Sequence, residues 1–318
     1  GDGLSNSVTI DQDGLGANEF RITGEDGTTV DMSSSFVIPN VTKGMKFDMG
    51  EGHDVVTLNA ITVHGPLVVD GGGGDNTLAA TGTTVNGALT VKNGDGFQRV
   101  SLAGGIGGNL TISNGDGGSD VRVFAPVAGN VSVKDGLGED LFILDGGATG
   151  KVDVNFGMGD GDVNISSTIG GNLTVKSLDG YLEVNLLEMG VGKVSVAHGA
   201  GDSAVDITNV DIAGGLSVTN KMGKHSFTMD SDSTVAGATK ITNGDGDSTT
   251  AFSSPVITGG VSIKNGAGHG RLTISNVIAV SGAWSVKNGG GGSETFINST
   301  MFGGGFTVAN GDGNSTIA

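Results

Sequence analysis

Apolar and polar residues alternate along this chain in short bursts, and the bursts recur. Leu89-Thr90-Val91-Lys92, Leu110-Thr111-Ile112-Ser113, Val131-Ser132-Val133-Lys134, Val261-Ser262-Ile263-Lys264 and Trp284-Ser285-Val286-Lys287 each set two apolar residues two apart, with Thr, Ser or Lys between and after them. A period of two with one apolar side predicts a half-buried strand. Each burst runs into a Gly-rich corner such as Asn93-Gly94-Asp95-Gly96. If the residue before the Gly-x-Gly is taken as a marker, markers fall at 49, 71, 93, 114, 135, 156, 177, 198, 220, 243, 265, 288 and 310, spaced 21 to 23 residues apart. Gly stands three places after every marker, from Gly52 through Gly138 and Gly159 to Gly313. This predicts a corner that needs positive φ or has no room for a Cβ. A second strand follows the corner, at Val56/Leu58, Val100/Leu102, Phe142/Leu144 and Val184/Leu186, and a weaker third apolar spot follows that, at Ile61/Val63, Ile106 and Val210/Ile212.

A repeat this short cannot bury its apolar face alone and must stack on its neighbours. The expectation is an all-β parallel β-helix, or β-solenoid, with coils of 21–23 residues, two to three short strands per coil and about fourteen coils. It reads as a single solenoid over 1–318, with less regular first coils over 1–44 and regular coils over 45–318. In the first stretch, Phe20 and Ile22 before Gly24-Glu25-Asp26-Gly27 read as a coil with longer arms. Coil length and strand pattern resemble the right-handed parallel β-helix superfamily, which is pectate-lyase-like. The Gly-Asp-rich text resembles repeat regions of bacterial extracellular proteins, with some turns like those of RTX repeats. The resemblance implies the architecture and an extracellular or cell-surface setting, and says little about activity.

Composition narrows the choice further. With 62 Gly among 318 residues a helical protein is excluded, and with 4 Pro and no Gly-X-Y period so is collagen. No Cys means no disulfide and no thiol chemistry. Against 34 acidic side chains stand only 16 basic ones, a formal charge of −18, which argues against nucleic acid as a partner and is compatible with cations. No apolar run approaches the ~20 residues of a transmembrane helix.

The corners carry the candidate chemistry. Gly50-Glu51-Gly52-His53-Asp54-Val55-Val56 and Gly71-Gly72-Gly73-Gly74-Asp75-Asn76-Thr77-Leu78 resemble the RTX turn, in which stacked carbonyls and Asp hold Ca²⁺. On adjacent coils Glu51, Asp54, Asp75 and Asn76 would share an ion, and Asp95 with Asp116 forms a second adjacent pair. The competing reading is preferred: Asn, Asp and Gly are what a tight corner demands, and most coils lack the full motif. No cofactor is required on that reading, and Ca²⁺ is the ion the other implies.

An enzymatic reading finds less support. Gly268-His269-Gly270 resembles the Gly-His-Gly of polygalacturonases but occupies the ordinary corner slot, and the carboxylate segments of that family are missing. His53, His64, His198 and His225 read as surface residues at unrelated coils, and Trp284 and Phe306 as core. The outward Thr/Ser and Lys columns of the main strand read as a solvated sheet face.

The chain opens at Gly1-Asp2-Gly3 and closes shortly after Asn310, so both ends fall inside a coil. Uncovered strand edges recruit other chains, so the stretch is expected to belong to a longer rod or to stack head to tail through Phe306, Thr307 and Val308. The expected function is structural and not enzymatic: a secreted or surface β-solenoid that is a subunit of a fibre, surface layer or matrix, with itself as partner. A carbohydrate-binding or polysaccharide-degrading β-helix and a calcium-binding adhesin stalk are the alternatives.

Overall fold

Each apolar burst becomes a strand because two side chains of one face reach a common interior while the residues between them meet water. In the computed structural model, which describes residues 3–230, 232–279 and 281–318, these strands build a parallel β-solenoid of about 12 turns. The described residues contain no helix. Two compact units divide the chain, Gly1–Gly157 and Met158–Ala318.

In the first unit the strands before the corners stack in parallel and in register: Met45 on Leu67, Leu67 on Leu89, Leu89 on Leu110, Leu110 on Val131 and Val131 on Val152. The strands after the corners form a second ladder, in which Val56, Leu78, Val100, Val121 and Phe142 lie one above another. Apart from half-buried Met45 and Phe47, the inward residues of both ladders are buried; Leu67, Leu110, Val121 and Phe142 are fully so. Each such side chain contributes roughly 1.5–3 kcal/mol through burial.

Residues 1–44 depart from the expected long-armed coil. Ser7–Asp11 does stack in parallel on Val55–Asn59, but it also pairs antiparallel with Phe20–Glu25, which pairs antiparallel with Ser35–Ile38. The Gly24-Glu25-Asp26-Gly27 text turns the chain back: Asp26 and Gly27 have φ of 51° and 88°, and Thr28 N donates to Glu25 O at 2.8 Å. This excursion accounts for the lower turn count.

In the second unit the strands before the corners run from Leu173–Asp179 to Phe306–Ala309, again parallel and in register. Its core carries an aromatic stack of Phe227, Phe252, Trp284, Phe302 and Phe306, with centroids 4.7–5.5 Å apart. Trp284 is fully buried and Phe306 half-buried. A second bend follows the post-corner strands, where one residue per coil turns left-handed: Glu188, Asn209, Asp232, Ser254, Asn276 and Ser299 have φ of 48–63°. No residue type marks this bend.

The glycine column behaves as expected. Gly138 has φ of 131°, and a Cβ on it would overlap the Gly117 carbonyl of the coil below. Gly268 lacks the positive φ, yet a Cβ there would overlap the Gly246 carbonyl. Coil stacking, as much as backbone conformation, selects glycine.

Candidate functional site

The markers were expected to serve only the turn, but their side chains point inward. Asn93 Nδ2 donates to Asn114 Oδ1 at 2.8 Å, and Asn114 Nδ2 donates to Asp135 Oδ1. In the second unit Asn220, Asn243, Asn265, Asn288 and Asn310 form the same ladder, each amide nitrogen donating to the next amide oxygen at 2.8–3.0 Å. Five residues after most markers a second inward polar column faces the first. Gln98 caps the carbonyls of Gly74 and Gly96 at 2.8 and 3.1 Å, and Ser119, Asp140, Ser203, His225 and Ser248 continue the column. A tight corner leaves backbone groups inside that neighbouring strands do not reach, and polar side chains at these positions satisfy one another and the corner.

The columns hold two buried titratable pairs. In the first unit Asp135 and Asp140, both about 95% buried, lie beside the Ser119 hydroxyl. Burial pushes the Asp135 carboxyl up to about 6, against hydrogen bonds from Asn114 and Ser119. Burial first and the Asp135 charge second push Asp140 up to about 7. In the second unit His198 and His225 occupy adjacent coils, and both are buried, which corrects the surface reading of these two residues. Burial lowers the pKa of His198; burial first and the His198 charge second bring His225 down to about 4, with His225 Nδ1 3.0 Å from Ser203 Oγ. His53 and His64 are exposed as expected.

Outside the corner, Asp side chains tie one coil to the next. Asp75 Oδ1 accepts from Phe97 N at 2.7 Å, Asp95 Oδ1 from Asp116 N at 2.9 Å and Asp116 Oδ1 from Leu137 N at 3.2 Å. Asp160, Asp179, Asp202, Asp245 and Asp247 accept from Tyr181, Ala200, Lys224, Ala267 and His269 in the same way. Each tie is a charge-assisted bond to an N–H that the strand ladders leave over. His269 therefore sits in an ordinary corner tie.

The six residues singled out for Ca²⁺ are distributed as follows. Asp54 is buried: its Oδ1 accepts from Asn6 N at 2.7 Å, and its N–H donates to Asn76 Oδ1 at 3.0 Å. Asn76 is also buried, and its amide donates to the Gly72 and Gly74 carbonyls. Asp75 faces outward, with Oδ2 3.5 Å from His53 Nδ1. Glu51 and Asp95 line an open depression of about 550 Å³, together with Asp70 and Lys92. Asp116 lies one coil beyond Asp95, joined to it by the backbone tie. Among the described residues no three His, Asp or Glu side chains group as a metal site. At the far end of the second unit, Phe306–Ala309 pairs with Trp284–Lys287, leaving Phe306 and Val308 half-buried and Thr307 exposed.

Stacked parallel coils, an inward amide ladder and outward carboxylate ties define a β-solenoid whose polar residues serve coil-to-coil attachment. No family model, curated protein or solved structure matches the chain.

Proposed function

We propose that this protein is a structural, extracellular β-solenoid, a subunit of a fibre, surface layer or matrix, that stacks head to tail. The observation that supports it is the use of corner carboxylates and amides as inter-coil ties: a charged or polar side chain bonds the next coil at Asp75, Asp95, Asp116, Asp160, Asp179, Asp202, Asp245 and Asp247. Each tie adds a side-chain bond between one coil and the next. The likeness to the right-handed parallel β-helix superfamily and to Gly-Asp-rich surface repeats belongs to the same proposal. The stacking surface proposed is Phe306–Ala309, where Phe306 and Val308 are half-buried; a second copy of the same cross-section would pair with this strand.

Negative-stain imaging, with mass measured over a wide concentration range, tests this reading. Filaments that lengthen with concentration and are abolished by Thr307→Pro are the expected result. A protein that stays monomeric at every concentration would overturn head-to-tail stacking.

A further inference from the structure

Charge is sorted between two faces of the second unit. The six consecutive strands Val194–Ala200, Leu216–Met222, Thr239–Thr242, Val261–Lys264, Trp284–Lys287 and Phe306–Ala309 contain four lysines, Lys221, Lys240, Lys264 and Lys287, and no carboxylate. This occurs in a chain where acidic residues outnumber basic ones 34 to 16. All four lysines are exposed, and Lys264 lies directly beside Lys287 on the neighbouring strand. Three strands of the other sheet show the reverse, while a later strand of that sheet carries Arg271. Gly161–Ile165, Leu182–Val191 and Ser203–Ile212 carry Asp162, Glu183, Glu188, Asp206 and Asp211, with no Lys or Arg. Asp162 lies directly beside Glu183, and Asn185 beside Asp206.

Like charges directly opposite on neighbouring strands repel, so each ladder is a local penalty that the fold tolerates. The repulsion shows at Asp162, whose carboxyl is pushed above the ordinary range by burial first and by Glu183 second. Among the described residues none of these lysines or carboxylates makes an ion pair. The inward residues of the two sheets share one core, so their outward faces look away from each other and cannot neutralise each other within a copy. Lys264 and Lys287 are register partners, as are Asp162 and Glu183, each pair at the ~4.8 Å spacing of paired strands. The basic pair on one copy therefore matches the acidic pair on another over two rungs.

We propose that the lysine face over Thr239–Lys287 docks side by side on the acidic face over Gly161–Ile212 of a second copy. The contact is heterologous and leaves one unused charged face at each side, so it extends into an open assembly. It uses no terminal strand, so it stands or falls independently of head-to-tail stacking.

The test is sedimentation of the full chain carrying Thr307→Pro, which removes the terminal edge from consideration. At about 10 mM salt, where charges act over roughly 30 Å, a weight-average mass of at least about twice the monomer is expected, returning to monomer near roughly 0.5 M. Lys264→Glu with Lys287→Glu should abolish association, and so should Asp162→Lys with Glu183→Lys. Mixing the two variants should restore association, with the two variants incorporated in equal amounts. Should the lysine substitution on the acidic face unfold the protein by circular dichroism, Asp162→Asn with Glu183→Gln replaces it and should reduce association to the monomer. A monomer at every salt concentration would overturn the proposal. So would undiminished association of the Lys→Glu variant, or binding of heparin to the lysine face while copies remain single.

Discussion

The two units place different chemistry at equivalent points of the coil. At a marker and five residues beyond one, the first unit buries two carboxyls, Asp135 and Asp140, and the second buries two imidazoles, His198 and His225. Elsewhere these columns hold mostly Asn, Ser and Gln, with Phe156 and Leu182 among the exceptions. The scaffold accepts either pair because the corner interior does not require a particular charge. What differs is the response to protons. The Asp pair is raised above its unfolded value, so its contribution to stability is present below pH ~3.8 and lost as pH rises through about 6 to 7. The His pair is lowered, so its contribution is present above ~6.5 and lost as pH falls toward about 4. Between those limits acidification favours one interior and disfavours the other.

The largest expected effect comes from breaking a corner outright. Gly138→Val demands a side chain at φ 131° against the carbonyl of the coil below, and should destabilise the first unit by roughly 2–4 kcal/mol, read as a fall in denaturation midpoint. A midpoint like that of the unsubstituted protein would mean that the corner tolerates rearrangement.

Next in size is the carboxyl pair. Asp135→Asn with Asp140→Asn keeps the shape of both side chains and removes the charge buried at neutral pH. The variant should be more stable than the parent by about 1–3 kcal/mol at pH 7.5 and equal to it near pH 4. Hydrogen exchange in the strands Ser119–Val123 and Asp140–Leu144, corrected for intrinsic rates, reports the difference locally. A difference of the opposite sign would show that the pair is ionised and well satisfied.

The imidazole pair should give a smaller and opposite result. His198→Asn with His225→Asn puts an amide in the marker column and another in the facing column, and should leave neutral stability nearly unchanged. Near pH 4.5 it should protect the second unit by about 1–2 kcal/mol, below the full shift because nearby solvent screens the charge. An NMR titration showing either imidazole protonating near pH 6.5 would contradict the buried, neutral state.

The smallest effect is expected from Ca²⁺. Because Asp75, Asp95 and Asp116 already accept backbone N–H bonds, millimolar Ca²⁺ and chelator should give the same melting temperature. A rise with Ca²⁺ that vanishes in Glu51→Gln would place an ion in the depression beside Asp95 and favour a calcium-binding stalk.

The apolar pairs and the glycine column were legible because each depends on a constraint that repeats identically. A strand must alternate, and a Cβ at Gly138 or Gly268 would overlap the carbonyl below. The inward Asn ladder could have been found from the same text, since Asn recurs at positions 93, 114, 220, 243, 265, 288 and 310 with a polar residue five further on in most coils. It was hidden because Asn beside Gly is also what an exposed turn uses, and alternation does not say which way a side chain points once the strand has ended. The burial of His198 and His225 was missed for the same reason. The hairpin before the first regular coil was missed because Phe20 and Ile22 alternate equally well in an antiparallel strand.

The sequence by itself determined the repeat, the strands, the parallel stack and the positions where only glycine fits, because those follow from local sterics and from a period that any stacked copy must share. Tertiary structure decided what the polar residues do. Whether a corner Asp holds an ion or the next coil's N–H, whether a histidine is wet or dry, and whether Lys264 finds a carboxylate beside it or another lysine all depend on what the neighbouring coil places opposite. One strand's pattern carries no record of its neighbour's side chains.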